Sequence, residues 1–330
     1  MKIRRPAQDI VFRCLAGSCP DTCCGGWEIP VDEESYLRWQ RLPEKWKNCM
    51  TDSTMWVDGE RQLKRKKGRC VLLNGENLCS LYAACGAEAL CRTCYLHPRF
   101  VAEYGGLREI MPGLSCPAWA MLYLMTDEKI RFITEETDEM PACNEIDGVL
   151  FYRMMKAREK ALSLLQDRSL PLAERMAELL ALAQETDDTR EETAALPMVL
   201  PAYIHKLQRM EILTSEWQSL LERAHPPTAQ PWRETVGEQL LVYYVFRFWL
   251  KGVYSGKVLP WAKLAVWSCV VTAAIAADCQ SREAYCEVVR LYSKEIEHDQ
   301  ENVDTLYRVF CRHSGRYSVA SLLKAWEEIG

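Results

Sequence analysis

No stretch of this sequence stays apolar long enough to cross a bilayer. The longest such run near the C-terminus, Leu264 to Ala277, is fourteen residues between Lys263 and Asp278. A spanning helix needs about 20, so this run is read as a buried core helix. The opening residues, MKIRRPAQDIVFRC, are basic but carry no apolar run of signal-peptide length. Together these gaps give the expectation of a cytoplasmic protein with no transmembrane segment. Positive charge is also in short supply. Lys and Arg number 41 against 46 Asp and Glu, a net charge of −5, which gives no strong pull toward nucleic acid. No acidic-Gly-x-Gly-x-Gly turn follows a strand pattern, so a Rossmann-type cofactor site is not supported. A radical-type Cys-x3-Cys-x2-Cys spacing starts at Cys19 and Cys23 but meets glycine at position 26. No internal repeat is apparent.

Cysteine is what the sequence has in excess: 16 in 330 residues. Eleven fall within the first 116 positions: Cys14, Cys19, Cys23, Cys24, Cys49, Cys70, Cys79, Cys85, Cys91, Cys94 and Cys116. In a reducing compartment such density points to metal or redox chemistry rather than disulfides. Charge divides in the same place. Residues 1–118 carry 17 Lys+Arg and 14 Asp+Glu, a balance of +3, and the remainder 24 and 32, a balance of −8.

The thiols form three groups. The first is Cys14-x4-Cys19-x3-Cys23-Cys24, running into Gly25-Gly26-Trp27. The second is Cys70-x8-Cys79, and the third is Cys91-x2-Cys94 with Ser115-Cys116-Pro117 downstream. Thiolates a few residues apart on loops can converge on one centre, and neighbouring glycines let the backbone wrap it. Iron–sulfur clusters and zinc both take such ligands, and spacing alone does not choose between them. The surplus over four thiolates and the lack of zinc-ribbon spacing favour iron–sulfur. Cys49 and Cys85 are expected to be bystanders. The late cysteines, Cys143, Cys269, Cys279, Cys286 and Cys311, sit in helical apolar patterns and read as packed small side chains. Cys91-Arg-Thr-Cys94 also has the form of a thioredoxin-like pair, without the βαβ surroundings that reading requires.

The expected fold is mainly α-helical. An irregular, cysteine-rich α+β segment, residues 1–118, packs on a helical body, residues 119–330, that supplies the pocket. Asp32 is the N-cap of an early helix carrying Tyr36, Leu37, Trp39 and Leu42, and strands are expected near 71–73 and 100–104. Apolar periodicity gives helices over 146–166, 171–183, 200–223, 233–250, 260–279, 282–312 and 318–328. The acidic stretch 185–192 reads as a solvated connector. The run 225–231, His-Pro-Pro-Thr-Ala-Gln-Pro, breaks the helical series.

These motifs in this order resemble the flagellin lysine-N-methylase family. The resemblance rests on Phe12-Arg-Cys14, Cys19-Pro-Asp-Thr-Cys-Cys-Gly-Gly-Trp27, Cys70-Val-Leu-Leu, Leu78-Cys79, Thr93-Cys94-x3-Arg99 and Leu114-Ser-Cys-Pro117. It extends to Tyr292-Ser-Lys-Glu-Ile-Glu-His298, followed by Glu301-Asn302. Two positions depart from the family pattern: His97 stands where Tyr is usual, and Lys294 where Arg is usual. The resemblance implies an S-adenosylmethionine-dependent methyltransferase acting on flagellin lysines, with a [4Fe–4S] cluster. Its ligands would come from Cys19, Cys23, Cys24, Cys70, Cys79, Cys94 and Cys116. The alternative from another class is a non-catalytic module that binds or senses iron or zinc.

Methyl transfer needs a neutral amine, so a group must accept the lysine's proton or desolvate it. Glu295, Glu297 and His298 are the catalytic candidates. Glu295 and His298 are three apart and share a face if the segment is an α-helix, although a solvated helix face explains the same spacing. Asp21, Trp27 and Arg99 lie inside the cysteine motifs and are the candidates for cofactor contact. As supporting structure they would cap a loop, shield the cluster and pair with a carboxylate. The aromatic run from Tyr243 to Trp249, with Trp261 and Trp267, has the composition of a methyl-lysine cage, but aromatics at helical spacing are more often core.

Overall fold

The computed structural model describes residues 1–140, 146–191, 194–227, 230 and 232–329. The chain is mainly helical and forms two compact units. The smaller is Phe12–Phe100 with Cys116–Ala118; the larger is Met1–Val11, Val101–Ser115 and Trp119–Gly330.

The larger unit takes in the chain's first residues because they complete a sheet. Lys2–Pro6 pairs in parallel with Leu107–Pro112, Ile3 opposite Arg108, and antiparallel with Phe132–Glu136, Ile3 opposite Glu135. Arg99–Tyr104 forms the far edge. A boundary at residue 118 therefore separates strands that bond to one another. A buried ion pair ties the sheet to the helices: Arg158, on helix Gly148–Leu165, donates to both carboxylate oxygens of Glu109 at 2.6 and 2.5 Å.

At the centre of this unit, helix Leu259–Ile275 buries every residue. This is the apolar run read from the sequence. Helix Arg233–Phe248 packs along it and buries Tyr243, Tyr244 and Phe248. Among the described residues no helix is long and apolar enough to cross a membrane.

Three expectations change. The stretch expected as helix 200–223 is two helices, Leu200–Gln208 and Ser215–Glu222, because Thr214 caps the second. The expected helix 282–312 is broken as well. Arg282–Tyr292 widens into a π turn over Ser293–Glu297, and a new helix, Gln300–Phe310, starts where Asp299 accepts from Glu301 N and Asn302 N. The acidic connector is not simply solvated. The Asp187 carboxylate caps the Leu259–Ile275 helix, accepting from Val258 N at 2.8 Å and Leu259 N at 2.8 Å. Glu191 is buried in an ion pair with Lys263.

The smaller unit has short elements. Helices Glu33–Trp39 and Glu44–Asp52 precede two hairpins, Thr54–Val57 with Glu60–Leu63 and Arg65–Lys66 with Arg69–Cys70. One-turn helices Ser80–Cys85 and Arg92–Leu96 follow. Asp32 caps the first helix as expected, accepting from Ser35 N. Of residues 71–73, expected as a strand, Val71 and Leu72 are turn and Leu73 makes only an isolated bridge to Cys79: Asn74 Oδ1 accepts from Glu76 N and Leu78 N and folds the loop back.

Candidate functional site

Backbone bonds in the smaller unit bring distant cysteines to one place. Cys70 N donates to Cys24 O at 2.7 Å, and Gly26 N donates to Gly68 O at 3.0 Å. Gly26 has φ +89, a conformation that favours glycine. The Asn74 turn sets Leu73 opposite Cys79 in an isolated bridge. The second carboxylate oxygen of Asp32 accepts from Arg92 N at 3.0 Å, and Thr93 Oγ1 donates to Pro30 O. These bonds seat the Cys91–Cys94 turn against the same core.

Five thiols share that neighbourhood: Cys24, Cys70, Cys79, Cys91 and Cys94. Burial pushes Cys70 up to about 11, and charge at Cys24, Cys79 and Cys91 adds to the rise. Burial also raises Cys79, with Cys24 and Cys91 contributing. Cys94 donates a hydrogen bond to Cys91; this lowers Cys91 and raises Cys94, which burial and charge at Cys91, Cys24 and Cys70 raise further. Cys24 is held down to about 7, first by a hydrogen bond from Cys23, against burial, then by Thr22 and the Arg69 charge.

Cys23 leads away from this group. Beyond its bond to Cys24, it feels charge at Cys14 and Cys116. The Cys19 thiol donates to Asp21 O at 3.1 Å. Of the seven cysteines singled out from the sequence, Cys24, Cys70, Cys79 and Cys94 therefore meet around Cys91. Cys23 bridges toward Cys116, and Cys19 turns onto its own loop. Cys91 was missed as a ligand candidate, although its Cys-x2-Cys spacing was the available signal. Cys49 and Cys85 pack against the apolar core. Cys269 and Cys286 are buried, Cys279 and Cys311 partly so, and Cys143 lies outside the described residues. Among the described residues no three His, Cys, Asp or Glu side chains are arranged as the ligands of a single metal ion.

Trp27 stacks on His97, ring centroids 5.9 Å apart, and its Nε1 donates to Cys23 O. Burial holds His97 down to about 4, so it is neutral at neutral pH. Arg99 lies over the Phe12 ring. Asp21 accepts the Cys19 thiol through its backbone oxygen, so these residues lie among the cysteine loops.

The larger unit holds the other candidates, on the π turn. π turns recur at functional sites, and this one separates residues that an α-helix would align. Glu295 is buried and accepts from Leu213 N and Thr214 Oγ1, both at 2.7 Å. Glu297 is buried between Tyr243 and Tyr244, whose hydroxyls donate at 2.8 and 3.1 Å, and it pairs with Arg247. His298 is exposed, with Nε2 2.6 Å from Ser115 Oγ. Glu295 and His298 therefore face different partners.

The aromatic run is core: Tyr243, Tyr244, Phe248, Trp249, Trp261 and Trp267 are buried, and the chain's own cations lie against its rings. Arg247 lies 4.5 Å over Phe248, and Lys251 lies 5.0 Å over Phe248 and 5.7 Å over Trp261. Burial lowers Lys251 to about 8.

No family model matches the chain, and no solved structure matches it. Curated relatives do. The flagellar biosynthetic protein FliU of Salmonella muenchen is 29% identical over 126 residues, 35% of this chain and 72% of that protein. The lysine-N-methylase of Salmonella typhimurium is 29% identical over 126 residues, and that of Salmonella choleraesuis 27% over 124. Each match covers 35% of this chain and 30% of the methylase. The chain thus spans less than a third of the length of these lysine-N-methylases. These relatives support the resemblance to the flagellin lysine-N-methylase family over about a third of the chain.

Proposed function

We propose that this protein transfers a methyl group from S-adenosylmethionine to lysine side chains of flagellin, and that its thiol group holds a [4Fe–4S] cluster. The likeness to lysine-N-methylases carries the reading. The thiols fit an iron–sulfur group on their own chemistry. Cys70, Cys79 and Cys94 are disfavoured as thiolates by burial or by one another, and a metal centre supplies the positive charge that would keep them ionised. Cys24, Cys70, Cys79, Cys91 and Cys94 are the donors from which its ligands would come. The cluster would supply a rigid inorganic anchor, and the sulfonium cofactor an electrophilic methyl.

The rest of the task falls to this chain's side chains. A lysine amine carries a proton at neutral pH, and that proton must leave before the nitrogen lone pair can form a C–N bond as the C–S bond breaks. His298 is the exposed member of the π-turn group, set by Ser115, and is the side chain assigned to accept it. Glu297, locked by two tyrosines and Arg247, holds the turn that carries His298.

The test is anaerobic purification with iron and sulfide analysis, then labelled methyl transfer to flagellin. A brown protein that labels flagellin lysines supports the reading. A colourless, zinc-bearing protein without transfer favours a metal-binding module. Replacing His298 with alanine should cut kcat about 100-fold with iron content unchanged.

A further inference from the structure

The hairpin rooted at the thiol group is strongly basic. Lys64, Arg65, Lys66, Lys67 and Arg69 are all exposed, in a chain of net charge −5. Arg65 pairs with Glu28. Lys64 Nζ donates to the Asp52 carbonyl at 2.6 Å, and Arg69 bonds the Asn77 amide oxygen. Lys66 and Lys67, at the tip, hold no carboxylate among the described residues.

This arrangement works against local stability. Lys66 stands directly opposite Arg69, a like-charge cross-strand pair. The two-residue turn has φ +52 at Lys67 and +75 at Gly68. Such turns favour Asn or Asp before Gly, and a lysine in the left-handed region costs about 1 kcal/mol. The root, by contrast, is fixed: Cys70 N and Gly26 N bond to Cys24 O and Gly68 O, so the charges are held in register with the thiols.

We propose that the Lys64–Arg69 hairpin is a docking site for an acidic segment of the protein substrate. The proposal rests on the methyltransferase reading for the identity of that partner. A protein partner follows from the methyltransferase reading, and the oligothymidine arm of the test separates it from single-stranded nucleic acid, for which the exposed Trp56 would offer a stacking ring. Arg61 lies 3.4 Å from the Tyr36 ring centroid and 4.8 Å from that of Trp56.

The test uses the full chain, purified anaerobically, and the double variant Lys66→Glu/Lys67→Glu. Fluorescence anisotropy measures binding of a polyglutamate peptide of about 20 residues and an oligothymidine of similar length, at about 50 and 300 mM salt. The variant should bind the peptide about tenfold more weakly at low salt, and Lys66→Arg/Lys67→Arg should bind it as the parent does. Flagellin methylation should show KM raised to a similar degree and kcat unchanged. Unchanged peptide binding overturns the proposal, and so does oligothymidine binding as tight as the peptide's through the same lysines. If wild type methylates nothing yet loses peptide binding on substitution, the methyltransferase reading fails while the acidic docking site stands.

Discussion

The two units solve the problem of a stable interior in opposite ways. The larger buries one helix on all sides, Leu259–Ile275, and places its few internal charges in pairs such as Arg158–Glu109 and Lys263–Glu191. The smaller has a core of ten buried side chains, two of which are Cys70 and Cys91. Small units with little apolar burial rely on disulfides or metals. The difference teaches that cysteines 24, 70, 79, 91 and 94 stand in or against the small core of their unit, so that the cluster proposed for them would serve folding as well as chemistry.

Removing the proposed cluster should break this comparison most sharply. Anaerobic chelation is expected to destabilise residues 12–100 by several kcal/mol or more and open them to protease, while peptides from 146–329 stay protected. Equal sensitivity of both units would erase the contrast. Next in size is Glu109→Gln, which strands the Arg158 guanidinium inside the larger unit. The expected cost is about 3–5 kcal/mol in denaturant unfolding, with metal content unchanged.

Smaller again is Glu295→Gln. Its carboxylate holds Leu213 N and Thr214 Oγ1, so it should lose about 1–2 kcal/mol of stability and keep its kcat. A collapse of kcat at full stability would return Glu295 to the chemistry. An effect of similar size is a pH dependence at Lys251, lowered to about 8 by burial. Below pH 8 both folded and unfolded amines are charged, and the folded one bears the burial cost. Between about 8 and the usual 10.4 the unfolded chain binds more protons, so stability rises with pH. Lys251→Met should flatten that rise by on the order of 2 kcal/mol, read from unfolding curves at pH 7 and 10.

Much of the fold was legible because its signals are local. The apolar run at 264–277 and the Asp32 cap needed no partner to be recognised. The sheet was legible only at its edge strand near 100–104: Lys2–Pro6 is short and basic, and its pairing with strands more than 100 residues downstream leaves no periodic trace. The break at Ser293 was hidden for a similar reason. Apolar spacing runs on through 282–312, while Asp299 and the tyrosines around Glu297 decide where the helix widens. At the site, Cys24, Cys70, Cys79 and Cys94 were readable from residue type. Cys91 stood in the third thiol group but outside the expected ligands, because its place depends on Asp32 capturing the Arg92 amide, 60 residues away in sequence. The basic hairpin was in plain view as Lys-Arg-Lys-Lys-Gly-Arg, but a balance of only +3 over the first 118 residues concealed it.

Cys91 also gives the most direct test of convergence. Iron and acid-labile sulfide should be measured per chain, anaerobically, in wild type, Cys91→Ser and Cys49→Ser. Wild type and Cys49→Ser should each hold about four irons and four sulfides, and Cys91→Ser should lose most of both. Full retention in Cys91→Ser, or no iron in wild type, would contradict the gathering of these five thiols around an iron–sulfur centre.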